Sequence, residues 1–83
     1  AIPMNIGEAV KERILELCSE RDISINKLCS MSGVTQSTVN NIISGRNRSA
    51  TVSTIKKLCD GLGITIENFF NSELFRNLEQ EIQ

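Results

Sequence analysis

The sequence contains no histidine, no tryptophan and no tyrosine, and its one proline is Pro3. Without histidine, the common zinc-finger ligand sets and the most frequent general base are missing. Three cysteines, at positions 18, 29 and 59, form no CxxC pair and are odd in number, which argues against a metal site and against a closed disulfide framework. Each falls at an apolar helical phase and reads as a small buried hydrophobe, with no base to activate it. No glycine-rich phosphate loop is present. No enzymatic chemistry, no metal and no cofactor are therefore expected. No apolar run approaches the length of about 18 residues that a membrane span requires, and no signal peptide is visible. Free thiols suit a reducing compartment, so the expected location is the cytoplasm, with no membrane partner.

A different absence runs through the middle of the chain. Residues 23–59 carry Lys27, Arg46, Arg48, Lys56 and Lys57 and not one aspartate or glutamate. The flanks are acidic: residues 1–22 hold five acids against three bases, and residues 60–83 hold five against one. The net charge of −1 conceals this division. A polyanion is the natural partner of a basic segment without carboxylates, because Lys and Arg neutralise phosphates and release their counterions.

What is present is helical periodicity. At 83 residues the chain is one domain, and a hydrophobic share of 40% suffices for a compact bundle; three Phe are its only aromatics, so its core is aliphatic. Residues 1–3, before Met4, read as a cloning remnant. Asn5 and Glu8 have capping-box spacing ahead of a helix whose stripe is Ile6, Val10, Ile14, Leu17 and Cys18. Glu8, Glu12, Glu16 and Glu20 form a row on its solvated face, with Lys11 and Arg13 relieving their repulsion. Arg21-Asp22 ends that helix. Thr51 caps a fourth helix with Val52, Ile55, Leu58, Cys59 and Leu62 inward, which Gly63 ends. Thr65 opens a short fifth helix presenting Ile66, Phe69 and Phe70. The tail has Leu74, Phe75, Leu78 and Ile82 at helical spacing and reads as a sixth helix. No strand and no repeat is expected.

Between the first and fourth helices lie two short ones, capped by Ser24 and Thr35 and separated by a turn at Gly33. Leu28, Met31, Val34, Val39 and Ile42 are expected on their inner side, and Gly45 is expected to stop the second of the pair. On a wheel of about 100° per residue, Gln36, Ser37, Asn40, Asn41 and Ser44 fall on the opposite arc. Such an arc is commonly just a solvated face, but surface helices normally carry Glu and Lys. Asn and Gln are side chains that pair bidentately with adenine in the major groove, and Ser serves several base edges.

This pattern resembles the lambda-repressor/Cro-type helix-turn-helix (XRE-family) DNA-binding domain, from about Val10 to Phe70. The residues that carry the likeness are Ile23-Ser24 and Leu28, the Ser32-Gly33-Val34 turn, Thr35 followed by Ser37-Thr38-Val39, the Ile42 to Gly45 exit, and the run from Leu58 to Phe70. The resemblance implies an all-α, five-helix domain that binds double-stranded DNA, usually as a homodimer. Carried over residue by residue, base reading falls on Gln36, Ser37 and Asn41, with Asn40 adjacent. Phosphate contacts fall on Ser24, Asn26 and Thr35 and on Arg46, Asn47, Arg48, Ser49 and Thr51; Lys27 is added from its charge. The chain departs from the family pattern at Ile25, where Gln is frequent, at Ala50, where Pro is frequent, and at Cys18 and Ile43, where an ion pair is frequent. The last change exchanges a charge pair for packing.

The expected organisation is then a DNA-binding domain over residues 4–71 and a tail helix over 72–83 that serves as a dimerisation element through Phe70, Leu74, Phe75, Leu78 and Ile82. The expected function is that of a dimeric repressor acting by promoter occlusion. The alternative is an antitoxin-type module that binds a protein partner while repressing its own operon.

Overall fold

The computed structural model describes residues 4–44 and 50–82. Its α-helices are α1 (Ile6–Glu20), α2 (Ile25–Ser32), α3 (Gln36–Ile43), α4 (Val52–Leu62) and α5 (Ile66–Phe70), followed by a 3₁₀ turn at Glu73–Phe75. The described residues contain no strand; the one extended pairing is an isolated parallel bridge between Met4 and Leu78.

Each helix begins on the residue whose side chain can satisfy its orphan amides. Asn5 accepts from the Glu8 N–H at 2.8 Å and returns its own amide proton to Glu8 Oε1 at 2.8 Å. Ser24, Thr35, Thr51 and Thr65 cap the next four helices by accepting from the N–H three residues on. Each such cap contributes about 1 kcal/mol.

Three helix ends share one device. Asp22, Gly33 and Gly63 take left-handed conformations, at φ 54°, 66° and 71°. The following residues, Ile23, Val34 and Ile64, donate their N–H back to the carbonyls of Cys18, Cys29 and Cys59. This is the Schellman arrangement, in which the residue after the left-handed one also packs its apolar side chain against the helix's last turn. All three cysteines thus occupy the same place in the same motif, where a small apolar side chain fits. All three are buried, and burial pushes their thiols above the usual cysteine range. Asp22 is the one non-glycine among the three. Asp22→Gly is expected to raise stability by about 0.5–1 kcal/mol, seen as a higher urea midpoint; a lower midpoint would contradict this account of the turn.

The core is formed by Val10, Ile14, Leu28, Val39, Ile42, Ile55, Leu58, Leu62 and the three cysteines around Phe69. The eight aliphatic residues are those placed inward by the sequence phase. Cys18 is buried and Ile43 packs against the same cluster, so both positions are apolar and packed, as expected. Met31 and Val52 depart from expectation: they are 41% and 73% exposed. α2 buries Leu28 and Cys29 alone, and Met31, in its last turn, lies on the border of that stripe. Val52 is the first residue of α4 and projects beyond the core.

One expectation is extended and another corrected. Arg13 does pair with the acidic row, through Glu16, but from a buried position. It is 7% exposed, with Nε donating to the Phe69 carbonyl at 2.7 Å and Nη2 to the Asn68 carbonyl at 3.0 Å. A guanidinium on α1 therefore satisfies the last carbonyls of α5, and Glu16 lies 2.5 Å from its Nη1. The tail helix over 72–83 does not form among the described residues. After one 3₁₀ turn capped by Ser72, the chain runs back beside the N-terminus, and the Glu79 N–H donates to the Met4 carbonyl at 2.9 Å. A helix of this length is marginal alone. Phe75 gains more by packing its ring against Phe70, with centroids 4.9 Å apart, and against Phe69 at 6.2 Å.

Candidate nucleic-acid interface

α2 and α3 form a pair joined through Gly33, Val34 and Thr35. α3 is held by Val39 and Ile42, which are 0% and 5% exposed. That anchoring turns the opposite arc outward. Gln36, Ser37 and Asn40 are exposed and Asn41 is half-buried. None of these four side chains forms a hydrogen bond among the described residues; the Asn41 main-chain carbonyl accepts from Ser44 Oγ at 3.4 Å. The face is therefore built from amide and hydroxyl groups whose donors and acceptors are open to a ligand.

The helices differ in the charge of their first turns. α1, α5 and the 3₁₀ turn each carry an acid in the first turn: Glu8, Glu67 and Glu73. α2, α3 and α4 carry none. An acid there would stabilise a helix by about 0.3–1 kcal/mol through its dipole. Three helices forgo that contribution and keep positive ends that favour an anion.

The phosphate-contact candidates sit at these ends. Ser24, Asn26, Lys27, Thr35 and Thr51 are all exposed. Their hydroxyls differ in what they leave open: Ser24 accepts and keeps its proton free, whereas Thr35 and Thr51 are each paired with a second hydroxyl. Ser24 Oγ accepts from the Lys27 N–H at 3.1 Å, Thr35 Oγ1 lies 2.8 Å from Thr38 Oγ1, and Thr51 Oγ1 donates to Thr54 Oγ1 at 2.9 Å. Thr51, whose proton goes to Thr54, offers an anion mainly the amide groups of its helix end, whereas Ser24 can add a hydroxyl proton to them. Lys27 and Lys57 make no ion pair among the described residues, whereas Lys56 is bonded to Asp60, which holds its ammonium above the usual lysine range. One of the five bases counted toward the basic segment is thus matched by a carboxylate just beyond that segment. Gly45, Arg46, Asn47, Arg48 and Ser49 lie outside the described residues.

Of the residues expected at a dimer surface, Ile82 is 87% exposed, and Phe70, Leu74, Phe75 and Leu78 are half-buried. Phe70 and Phe75 are committed in part to the ring cluster around Phe69. No helix among the described residues is long and apolar enough to cross a membrane.

The comparisons with known proteins agree with this geometry. Residues 13–73 match the family model of the Cro/C1-type HTH DNA-binding domain. The crystal structure of prophage Lp1 protein 11 is similar at 35% identity with a TM-score of 0.80, covering 90% of this chain and 99% of that one. No curated protein gave a match. The chain belongs to the Cro/C1-type helix-turn-helix family and is a DNA-binding transcription regulator, with α2 and α3 as its helix-turn-helix.

Proposed function

We propose that the protein is a dimeric repressor that covers a promoter by binding a partly palindromic operator. α3 lies in the major groove, with Gln36, Ser37, Asn40 and Asn41 at base edges. Ser24, Asn26, Lys27, Thr35 and Thr51, with residues 46–49, meet the phosphates on either side. The observation that carries this reading is an outward α3 face of unpartnered amide and hydroxyl side chains, together with the absence of an acid from the first turns of α2, α3 and α4. Phosphate contacts fix the register and base contacts supply the sequence preference. Two copies would place their recognition helices about 34 Å apart, one turn of duplex. The toxin-binding alternative gains no comparable support, because the tail folds back on its own N-terminus and aromatic cluster.

Dimerisation is assigned to the end of the molecule that carries Phe70, Leu74, Phe75, Leu78 and Ile82. Replacing Phe75 would also disturb the intramolecular ring packing, so the cleaner test is Leu78→Glu with Ile82→Glu. This double variant is expected to sediment as a monomer. It should also bind a duplex with two half-sites at least about tenfold more weakly, because coupling between the two binding events is lost. Unchanged sedimentation together with unchanged binding would place the dimer surface elsewhere.

A further inference from the structure

We infer that residues 77–82 form a strap exchanged between two copies of the chain, each strap pairing with the Met4 edge of the other copy. The inference rests on the dimer reading above and names how that dimer is closed. The chain changes character at Arg76. Before that point it is tied down: Ser72 Oγ accepts from the Leu74 N–H at 3.2 Å, Phe75 packs in the ring cluster, and Arg76 is bonded to Glu73 and to Asn71 Oδ1. At Arg76 and Asn77 the chain bends. Beyond the bend, one hydrogen bond among the described residues holds the strap, from the Glu79 N–H to the Met4 carbonyl. Leu78, bridged to Met4, is half-buried, and Glu79, Gln80, Glu81 and Ile82 are exposed.

A segment held by so few contacts opens far below the free energy of global unfolding. Once open, it meets an identical Met4 edge on a second copy, and the two straps close reciprocally about a two-fold axis. Each strap contact of the single chain is remade in the pair, so the exchange itself sacrifices none. Within one chain the tether favours self-pairing, at an effective concentration of about millimolar. The pair must therefore gain contacts that the single chain lacks. The apolar groups for this belong to the same end of the molecule: Ile82 is 87% exposed, and Phe70 and Leu74 are half-buried. Two of the five residues assigned to the dimer, Leu78 and Ile82, lie on the strap itself. With each strap on its own copy, an interface resting on them would be no firmer than the one bond to Met4. Exchange gives them the partner's backbone as support.

The test mixes two full-length variants, Met4→Cys and Leu78→Cys. Paired strands lie about 4.8 Å apart, within the Cα separation of about 4.4–6.8 Å that a disulfide spans. The two new thiols therefore bond wherever a strap pairs with a Met4 edge. The variants are mixed in equal amounts with reductant, at a concentration where the wild-type chain sediments as a dimer. They are then oxidised with copper phenanthroline and separated without reductant. The three native thiols are buried, and the wild-type chain taken through the same steps gives the background. The expected result is a covalent heterodimer from about half of the dimers, the statistical share of mixed pairs under two-fold symmetry, with neither variant cross-linking alone. A chain carrying both substitutions should run as a covalent dimer. If that chain ran instead as an internally bonded monomer, and the mixture gave no heterodimer, the exchange would be overturned and the dimer left intact. A wild-type chain that sedimented as a monomer at every concentration would remove the dimer reading, and the inference with it. Should Leu78→Cys fail to fold, Glu79→Cys takes its place, at the exposed residue whose N–H reaches Met4.

Discussion

Arg13→Ala is expected to lower the stability of the protein by about 2–4 kcal/mol, a large share of the roughly 5–10 kcal/mol that holds a domain of this size. The guanidinium is buried and points to the end of α5, where it donates to the Phe69 and Asn68 carbonyls. A helix leaves its last carbonyls without internal partners. Here α1 supplies the partner through a side chain, and the residue it holds, Phe69, is fully buried at the centre of the core. Alanine would leave the Phe69 carbonyl unsatisfied and open a cavity beside it. Lysine would rescue only part of the loss, because an ammonium cannot repeat the fork that reaches two carbonyls and Glu16 together. Urea denaturation at constant slope is the measurement. A loss below about 0.5 kcal/mol would show that this guanidinium is not what fixes α5.

Gly61→Ala is expected to destabilise by about 1–3 kcal/mol, although glycine within a helix is itself unfavourable by about 1 kcal/mol relative to alanine. The reason is the approach of α4 to α2. A methyl group at position 61 would stand 2.2 Å from Ser32 Oγ, 3.0 Å from Ser32 Cα and 3.1 Å from the Met31 carbonyl carbon. The serine hydroxyl can rotate, but the backbone atoms cannot retreat without moving α2, which leads directly into α3. The Ser32 hydroxyl is buried and has no hydrogen-bond partner among the described residues, so Ser32→Ala alone should be close to neutral. Combined with Gly61→Ala it should recover part of the loss, since it removes the nearest of the three contacts. An increase in stability for Gly61→Ala would mean that the two helices are not in the close contact described.

These two residues mark where the sequence could and could not be read. Helix starts were legible, because Asn5, Ser24, Thr35, Thr51 and Thr65 each announce a cap by chemistry alone. The cysteines were legible as small hydrophobes from their phase, but not as three copies of one turn, which needs the backbone hydrogen bonds from Ile23, Val34 and Ile64. Arg13 carries a local signal of its burial, because it lies on the phase of Val10, Ile14 and Leu17. Its partners are 55 and 56 residues away and leave no local trace. The tail misled because Leu74, Phe75, Leu78 and Ile82 keep helical spacing, while the Met4 pairing and the ring packing that override it are distant contacts. At the interface, the outward arc of α3 followed from Val39 and Ile42. The pairing of the Thr35 and Thr51 hydroxyls with Thr38 and Thr54 followed only from the three-dimensional arrangement.

The central claim is that α3 reads DNA sequence while its surroundings hold the phosphates. It is tested most directly by comparing the wild-type chain and Gln36→Ala on a selected duplex and on a scrambled one, across a salt series. Gln36 is exposed at the first turn of α3, so the variant should fold normally. Its loss is expected to be about 1–3 kcal/mol on the selected duplex and close to nothing on the scrambled one, with the salt slope unchanged. Equal loss on both duplexes, or no loss on either, would contradict the account.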